Sequence, residues 1–118
     1  MGFPLRRIRP RQHKPGEMNK TERAYADRLE LQRLAGEIRS WRFEALKLKL
    51  ADKTFFTPDF YVVTEEQIEL IDTKGFIEDD AMVKIKVAAQ MYPEFCFKLV
   101  ECKYSKRDGL RVVKVTEF

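Results

Sequence analysis

Only three residues, Thr64-Glu65-Glu66, separate the β-prone runs Phe55–Val63 and Gln67–Lys74. That link is short enough for a hairpin turn, so the two runs are expected to lie side by side as antiparallel strands. Their ends remote from the turn then fall together. One end carries Thr57-Pro58-Asp59 and the other carries Asp72-Thr73-Lys74. Pro58 has no N–H to give to a sheet ladder, which puts it at an edge or a bulge. Such an irregularity can aim Asp59 away from regular packing.

The other elements arrange themselves around this hairpin. Asn19 and Glu22 stand at the spacing of a capping box, which opens a helix before the apolar positions Tyr25, Ala26, Leu29 and Leu34. Gly36 suits the stop, so this helix is expected to run to about Ala35. A strand from Trp41 to about Leu50 follows, with Leu46, Leu48 and Leu50 alternating against Lys47 and Lys49. After the hairpin, Glu78-Asp79-Asp80 supplies acids for the first turn of a second helix. Met82, Ile85 and Ala89 mark its buried side, and Pro93 stops it. Phe95–Lys103 and Leu110–Val115 read as two more strands, with Gly109 in the turn between them. A helix between the third and fourth strands implies a crossover and local parallel pairing. The expected fold is α/β (α+β), in the order α-β-β-β-α-β-β, with a mixed sheet flanked by helices.

At 118 residues the chain has the length of one domain, and 44% hydrophobic residues suffice for one modest core. Residues 19–118 are read as that domain. Residues 1–18, rich in Pro and Arg, are read as an irregular basic arm. Residues 1–20 hold six Lys/Arg against Glu17, while residues 21–118 hold seventeen against eighteen Asp/Glu. The net charge of +4 is therefore a property of the arm. Arg6, Arg7, Arg9 and Arg11 there can neutralise phosphates, or can belong to a solvated leader. No apolar run reaches membrane-spanning length, and the basic start lacks the apolar stretch of a secretory leader, so a cytoplasmic location is expected. Cys96 and Cys102 lie too far apart along one strand to pair, and read as small buried hydrophobes. With His13 the only histidine and no CxxC pair, a zinc site finds no support.

Asp72 and Lys74 are two residues apart, so they share a strand face with Ile68 and Leu70. A carboxylate and an ammonium thus follow apolar residues toward a side that should be buried. Burying them is costly unless they are paired or bind a metal. An ion pair at the strand end would suffice for these two alone. Asp59 on the adjacent strand changes the balance, because two close carboxylates repel and raise one pKa. A divalent cation removes the conflict, and Mg²⁺ takes oxygen ligands while keeping several waters. The same set suits phosphodiester hydrolysis, with Lys74 orienting water or stabilising charge on the phosphate. Glu22 can complete it by holding a metal-bound water, can simply close the capping box, or can do both.

Pro58-Asp59 followed by Asp72-Thr73-Lys74 resembles the PD-(D/E)XK signature of a nuclease superfamily. The helix bearing Glu22 and the α-β-β-β-α-β order are similar to that superfamily's restriction-endonuclease-like core. Asp72-Thr73-Lys74-Gly75-Phe76, then a Lys-containing helix and Tyr92-Pro93, resembles small phage-encoded nucleases related to Holliday-junction resolvases. The resemblance covers Asn19 to Lys103. It implies metal ligation (Mg²⁺ or Mn²⁺) by Asp59, Asp72 and the Thr73 carbonyl, with Lys74 as the catalytic lysine and Glu22 as the helix-one acid. Many resolvase-like members carry Glu where this chain has Asp72. The activity implied is metal-dependent DNA cleavage, on branched or recombination intermediates and in the host cytoplasm if phage-encoded. Junction cutters often act as symmetric dimers, so a homodimer fits.

Lys84 and Lys86 on the second helix can touch the phosphate backbone, Lys86 sharing a face with Gln90, or can lie on a solvated face. Trp41 and Phe43 read as core. The alternatives to a nuclease are a non-cleaving nucleic-acid-binding module of the same fold and an assembly protein whose acids only form ion pairs.

Overall fold

The computed structural model describes residues 16–76 and 79–118, with the Asp79 side chain excepted. Arg6, Arg7, Arg9, Arg11 and Glu78 lie outside the described residues. Helix α1 (Lys20–Leu34) starts at the anticipated box. Asn19 Oδ1 accepts the Glu22 N–H at 2.8 Å, and Glu22 Oε1 accepts the Asn19 N–H at 2.9 Å. Gly36 closes the helix at φ 80, a left-handed conformation that costs glycine little. The Gly36 N–H donates to Arg33 O and the Glu37 N–H to Gln32 O, the bond pair of a Schellman motif. Tyr25, Ala26 and Leu29 are buried, but Leu34, counted with them on the helical period, is 68% exposed at the last turn.

Seven strands follow: β1 (Ser40–Phe43), β2 (Leu48–Ala51), β3 (Thr54–Phe56), β4 (Phe60–Val63), β5 (Ile68–Lys74), β6 (Cys96–Ser105) and β7 (Gly109–Glu117). Helix α2 (Asp79–Met91) stands between β5 and β6. The main sheet has the order β1-β4-β5-β6-β7. β1, β4 and β5 form an antiparallel meander. β5 and β6 are parallel across the α2 crossover, and β7 returns antiparallel to β6. Its strands and the two helices follow the expected order α-β-β-β-α-β-β.

Two strands expected to be continuous are broken. The run from Trp41 toward Leu50 stops at Glu44, whose φ of 49 takes it out of strand conformation. Its N–H still reaches Asp59 O at 2.8 Å, one rung beyond the Phe43↔Phe60 pair. The run Phe55–Val63 breaks at Thr57-Pro58-Asp59. What lies between the breaks is β2 and β3, a hairpin that forms a two-stranded sheet of its own. The alternation of Leu48 against Lys47 and Lys49 is real, but its buried face packs with α2 rather than as an extension of β1.

The main sheet separates two apolar clusters. On one face Tyr25, Ala26 and Leu29 of α1 meet Phe60, Val62, Ile71, Val100 and Cys102. On the other, Ile85 and Ala88 of α2 and the hairpin residues Leu48 and Phe56 meet Leu70, Phe97 and Leu99. Met82 and Ala89 pack at the border of that second cluster, as their helical spacing implies. Phe60, fully buried, is ringed by Tyr25, Trp41 and Phe43 at centroid distances of 5.4, 6.1 and 5.5 Å. Trp41 is only half-buried, and its indole N–H donates to Glu30 Oε1 at 2.9 Å. Both cysteines are free, and Cys102 is fully buried. No helix among the described residues is long and apolar enough to cross a membrane.

Because Phe60 fills the centre of the α1-side cluster, Phe60→Ala should lower unfolding stability by about 3–5 kcal/mol in a denaturant titration. A loss below about 1 kcal/mol would show that the ring does not organise this face.

Candidate active site

The β4–β5 ladder ends on the pair Phe60↔Ile71. One further step along that register sets Asp59 opposite Asp72, and a second sets Pro58 opposite Thr73. In an antiparallel ladder a hydrogen-bonded pair exchanges both N–H···O bonds. Pro58 has no N–H, so that exchange cannot be made. The Thr73 carbonyl is left without that donor, and Asp59 replaces the Pro58 carbonyl as the acceptor of the rung's other bond. Its Oδ2 accepts the Thr73 N–H and the Thr73 hydroxyl, each at 2.8 Å. Its own N–H donates to Asp72 Oδ1 at 3.2 Å. Lys74 Nζ lies 3.3 Å from Asp72 Oδ2. The two acids and the ammonium are therefore one bonded group.

This group sits where polar chemistry is costly. Asp59 and Asp72 are 9% and 4% exposed, and Pro58 is fully buried. Along β5, Leu70 belongs to the α2-side cluster and Ile71 to the α1-side cluster, so Asp72 and Lys74 continue the α2-side row. Burial pushes the Asp59 carboxyl above its ordinary range, opposed by the Thr73 bonds and reinforced by the nearby charge of Glu22. Burial, and next the charge of Asp59, raise Asp72 to about 7, against the pull of Lys74. Burial by itself would lower the Lys74 ammonium, but Asp72 and Asp59 outweigh it and hold its pKa above the usual value.

Glu22 is buried at the start of α1 and holds the capping box. Its charge also bears on Asp59 and Lys74, so the cap and the electrostatic cluster share one residue. A cleft of about 600 Å³ opens over Asp59, Asp72 and Lys74. It is lined as well by the first part of α2, with Asp80 and Lys84, and by Phe55, Phe56 and Thr57. Lys84 thus shares the cleft with the group, whereas Lys86 and Gln90 are exposed and do not line it. Asp80 was read from sequence only as an acid suited to a helix start. Its place in the cleft follows from α2 beginning so soon after Lys74 ends β5. The aromatic part of the lining is not legible in the sequence, where Phe55–Val63 reads as one continuous strand.

No group of three or more His, Cys, Asp or Glu side chains arranged around a metal occurs among the described residues. Two carboxylates are nonetheless a sufficient protein share for Mg²⁺, which draws further oxygens from water and substrate phosphate. The chemistry of the donors fits such an ion. They are hard oxygens, and the two acids resist carrying two charges without a cation. Within a strand, the N–H and C=O of one residue point the same way. The Thr73 carbonyl therefore opens toward the side where Pro58 supplies no donor. No family model matches the chain, and comparison with curated proteins finds no match.

The raised carboxyl values fix a sign. The folded state favours the protonated acids, so their contribution to stability is full below about pH 4 and is lost as pH rises toward 7. Without divalent ions, Asp72→Asn should melt above the native chain at pH 8, on the order of 5 °C. The difference should shrink to near zero at pH 4. A melting point that falls at pH 8 would mean that the Asp72–Lys74 pair outweighs the repulsion.

Proposed function

We propose that this chain is a divalent-metal-dependent endodeoxyribonuclease of the PD-(D/E)XK type. The observation that carries the reading is the bonded group itself. Asp59 and Asp72 from neighbouring strands join through a 3.2 Å hydrogen bond, with Lys74 at 3.3 Å, at the floor of an open cleft. The order of the sheet and helices, with an acid on the first helix, supports the same reading.

In this proposal Asp59, Asp72 and the Thr73 carbonyl hold Mg²⁺ or Mn²⁺. A bound ion would supply polarisation of a phosphoryl oxygen and a water of lowered pKa. Lys74, kept protonated by the two acids, would orient the attacking water or meet the charge gathering on the phosphate. Thr73 fixes Asp59 through two hydrogen bonds, so the carboxylate is oriented before substrate arrives. Lys84 approaches the scissile phosphate from α2. Glu22 tightens the negative field around Asp59 from the other side of the sheet. The bonded group supplies one cutting centre, so a homodimer on DNA belongs to the proposal.

The test incubates the protein with a linear duplex, a four-way junction and a single strand, with Mg²⁺, Mn²⁺ or EDTA. Cleavage should need the divalent ion and fall at least ~10²-fold in Asp72→Ala and in Lys74→Ala. Binding of DNA without nicking of any substrate would instead support a non-cleaving nucleic-acid-binding module.

Glu22→Gln separates the two roles of that residue, because Gln still closes a capping box. Reduced cleavage at an unchanged melting temperature is the expected outcome. Unchanged cleavage would leave Glu22 as a helix cap alone.

A further inference from the structure

β5 ends at Lys74, which pairs with Glu101 of β6. β6 and β7 do not stop there. Their ladder continues through Lys103↔Arg111 and Tyr104↔Leu110 to Ser105↔Gly109. At about 3.4 Å per residue, this ribbon overhangs the last β5 rung by roughly 14 Å.

The overhang reads Lys103-Tyr104-Ser105-Lys106-Arg107-Asp108-Gly109-Leu110-Arg111, four cations to one carboxylate. Lys103, Lys106, Arg107 and Arg111 are all exposed. Among the described residues only Arg107 has an acidic partner. That partner is Asp108 at 4.0 Å, and both side chains stand largely in water.

The face these cations occupy follows from the strand alternation. Phe97 and Leu99 lie on the α2 side of β6, while Val100 and Cys102 lie on the α1 side. Lys103 therefore stands on the α2 side, with Arg111 directly across from it, on the same face as Asp72 and Lys74. Like charges directly opposite each other weaken a hairpin. Sheet stability gives no reason for this pair, and a carboxylate at either position would serve the fold better. A polyanion laid along the face would supply the missing charge.

We propose that the overhanging β6–β7 ribbon is a nucleic-acid arm that grips the phosphate backbone of duplex DNA beside the cleft. The proposal rests on the nuclease reading of that cleft and extends it to the position of the substrate. Lys103 and Arg111 contact phosphates on the cleft side, and Lys106 and Arg107 follow the strand at the tip. These contacts set position and do not read sequence.

The test uses the full chain and a labelled duplex. Anisotropy in EDTA measures binding across a salt series, and a parallel assay with Mn²⁺ measures cleavage. Lys103→Gln/Arg111→Gln is compared with Arg33→Gln/Arg39→Gln, which removes equal charge away from the cleft. The ribbon variant should bind about tenfold more weakly near 0.1 M salt. Its slope of log affinity against log salt should be shallower by about 1.8, at ~0.9 per phosphate contact. It should melt no lower than the native chain. The control should bind as the native chain does. If the ribbon variant binds and cuts normally with the native slope, the arm is refuted and the nuclease reading is untouched. If the native chain never cuts but the variant still loses affinity and slope, the arm stands and the nuclease reading falls. Equal losses in the control, or no duplex binding by the native chain, would also refute the arm.

Discussion

A donor that proline cannot supply organises this protein. Where the β4–β5 ladder would demand an N–H from residue 58 for the Thr73 carbonyl, there is none, and the other bond of that rung is replaced, because the Thr73 N–H goes to the Asp59 carboxylate rather than to the Pro58 carbonyl. That substitution ends the ladder, turns Asp59 toward Asp72, and frees the chain before it to leave the sheet. The β2–β3 hairpin, the aromatic lining of the cleft and the packing of Leu48 and Phe56 with α2 all follow from the break.

The site is held against a cost in folding free energy. Two acids lie almost out of water, Asp72 made harder to ionise by the charge of Asp59 and Asp59 by that of Glu22, with the Lys74 ammonium beside Asp72. The structure that bears this cost is the aromatic cluster immediately behind it. Phe60 follows Asp59 directly in the chain and is packed by Tyr25, Trp41 and Phe43. One strand step thus separates a fully buried aromatic ring from a nearly buried carboxylate.

Much of this was legible in the chain, and the reasons are local. The Asn19–Glu22 box, the helix stop at Gly36 and the short link at Thr64 each depend on neighbours in sequence, and each appears as expected. The meeting of Asp59 with Asp72 followed from the hairpin alone. The failures depend on distant partners. Glu44 turns to a positive φ while its N–H still completes a rung to Asp59 O, on a strand far along the chain. Alternating leucines look the same whether they extend β1 or build a separate hairpin. Leu34 fits the helical period only loosely: five residues past Leu29, it stands about 140° round the helix and faces water. The ladder beyond Lys103 escaped notice because its cations and Gly109 read as loop composition, whereas strand pairing holds them.

Among the described residues β7 is the outer strand of the sheet. A terminal strand leaves a row of unsatisfied backbone groups that can template another chain, and Val113 and Val115 are half in water there. The register slips between Glu101 and Cys102, which leaves Val113 as an extra residue and Lys114 beside it facing outward. A kink and a charge at the middle of the border deny a second molecule the flat, regular seam that cross-β stacking requires. Among the described residues, the valines of this margin thus sit beside a bulge and a cation, two features that disfavour edge-to-edge pairing.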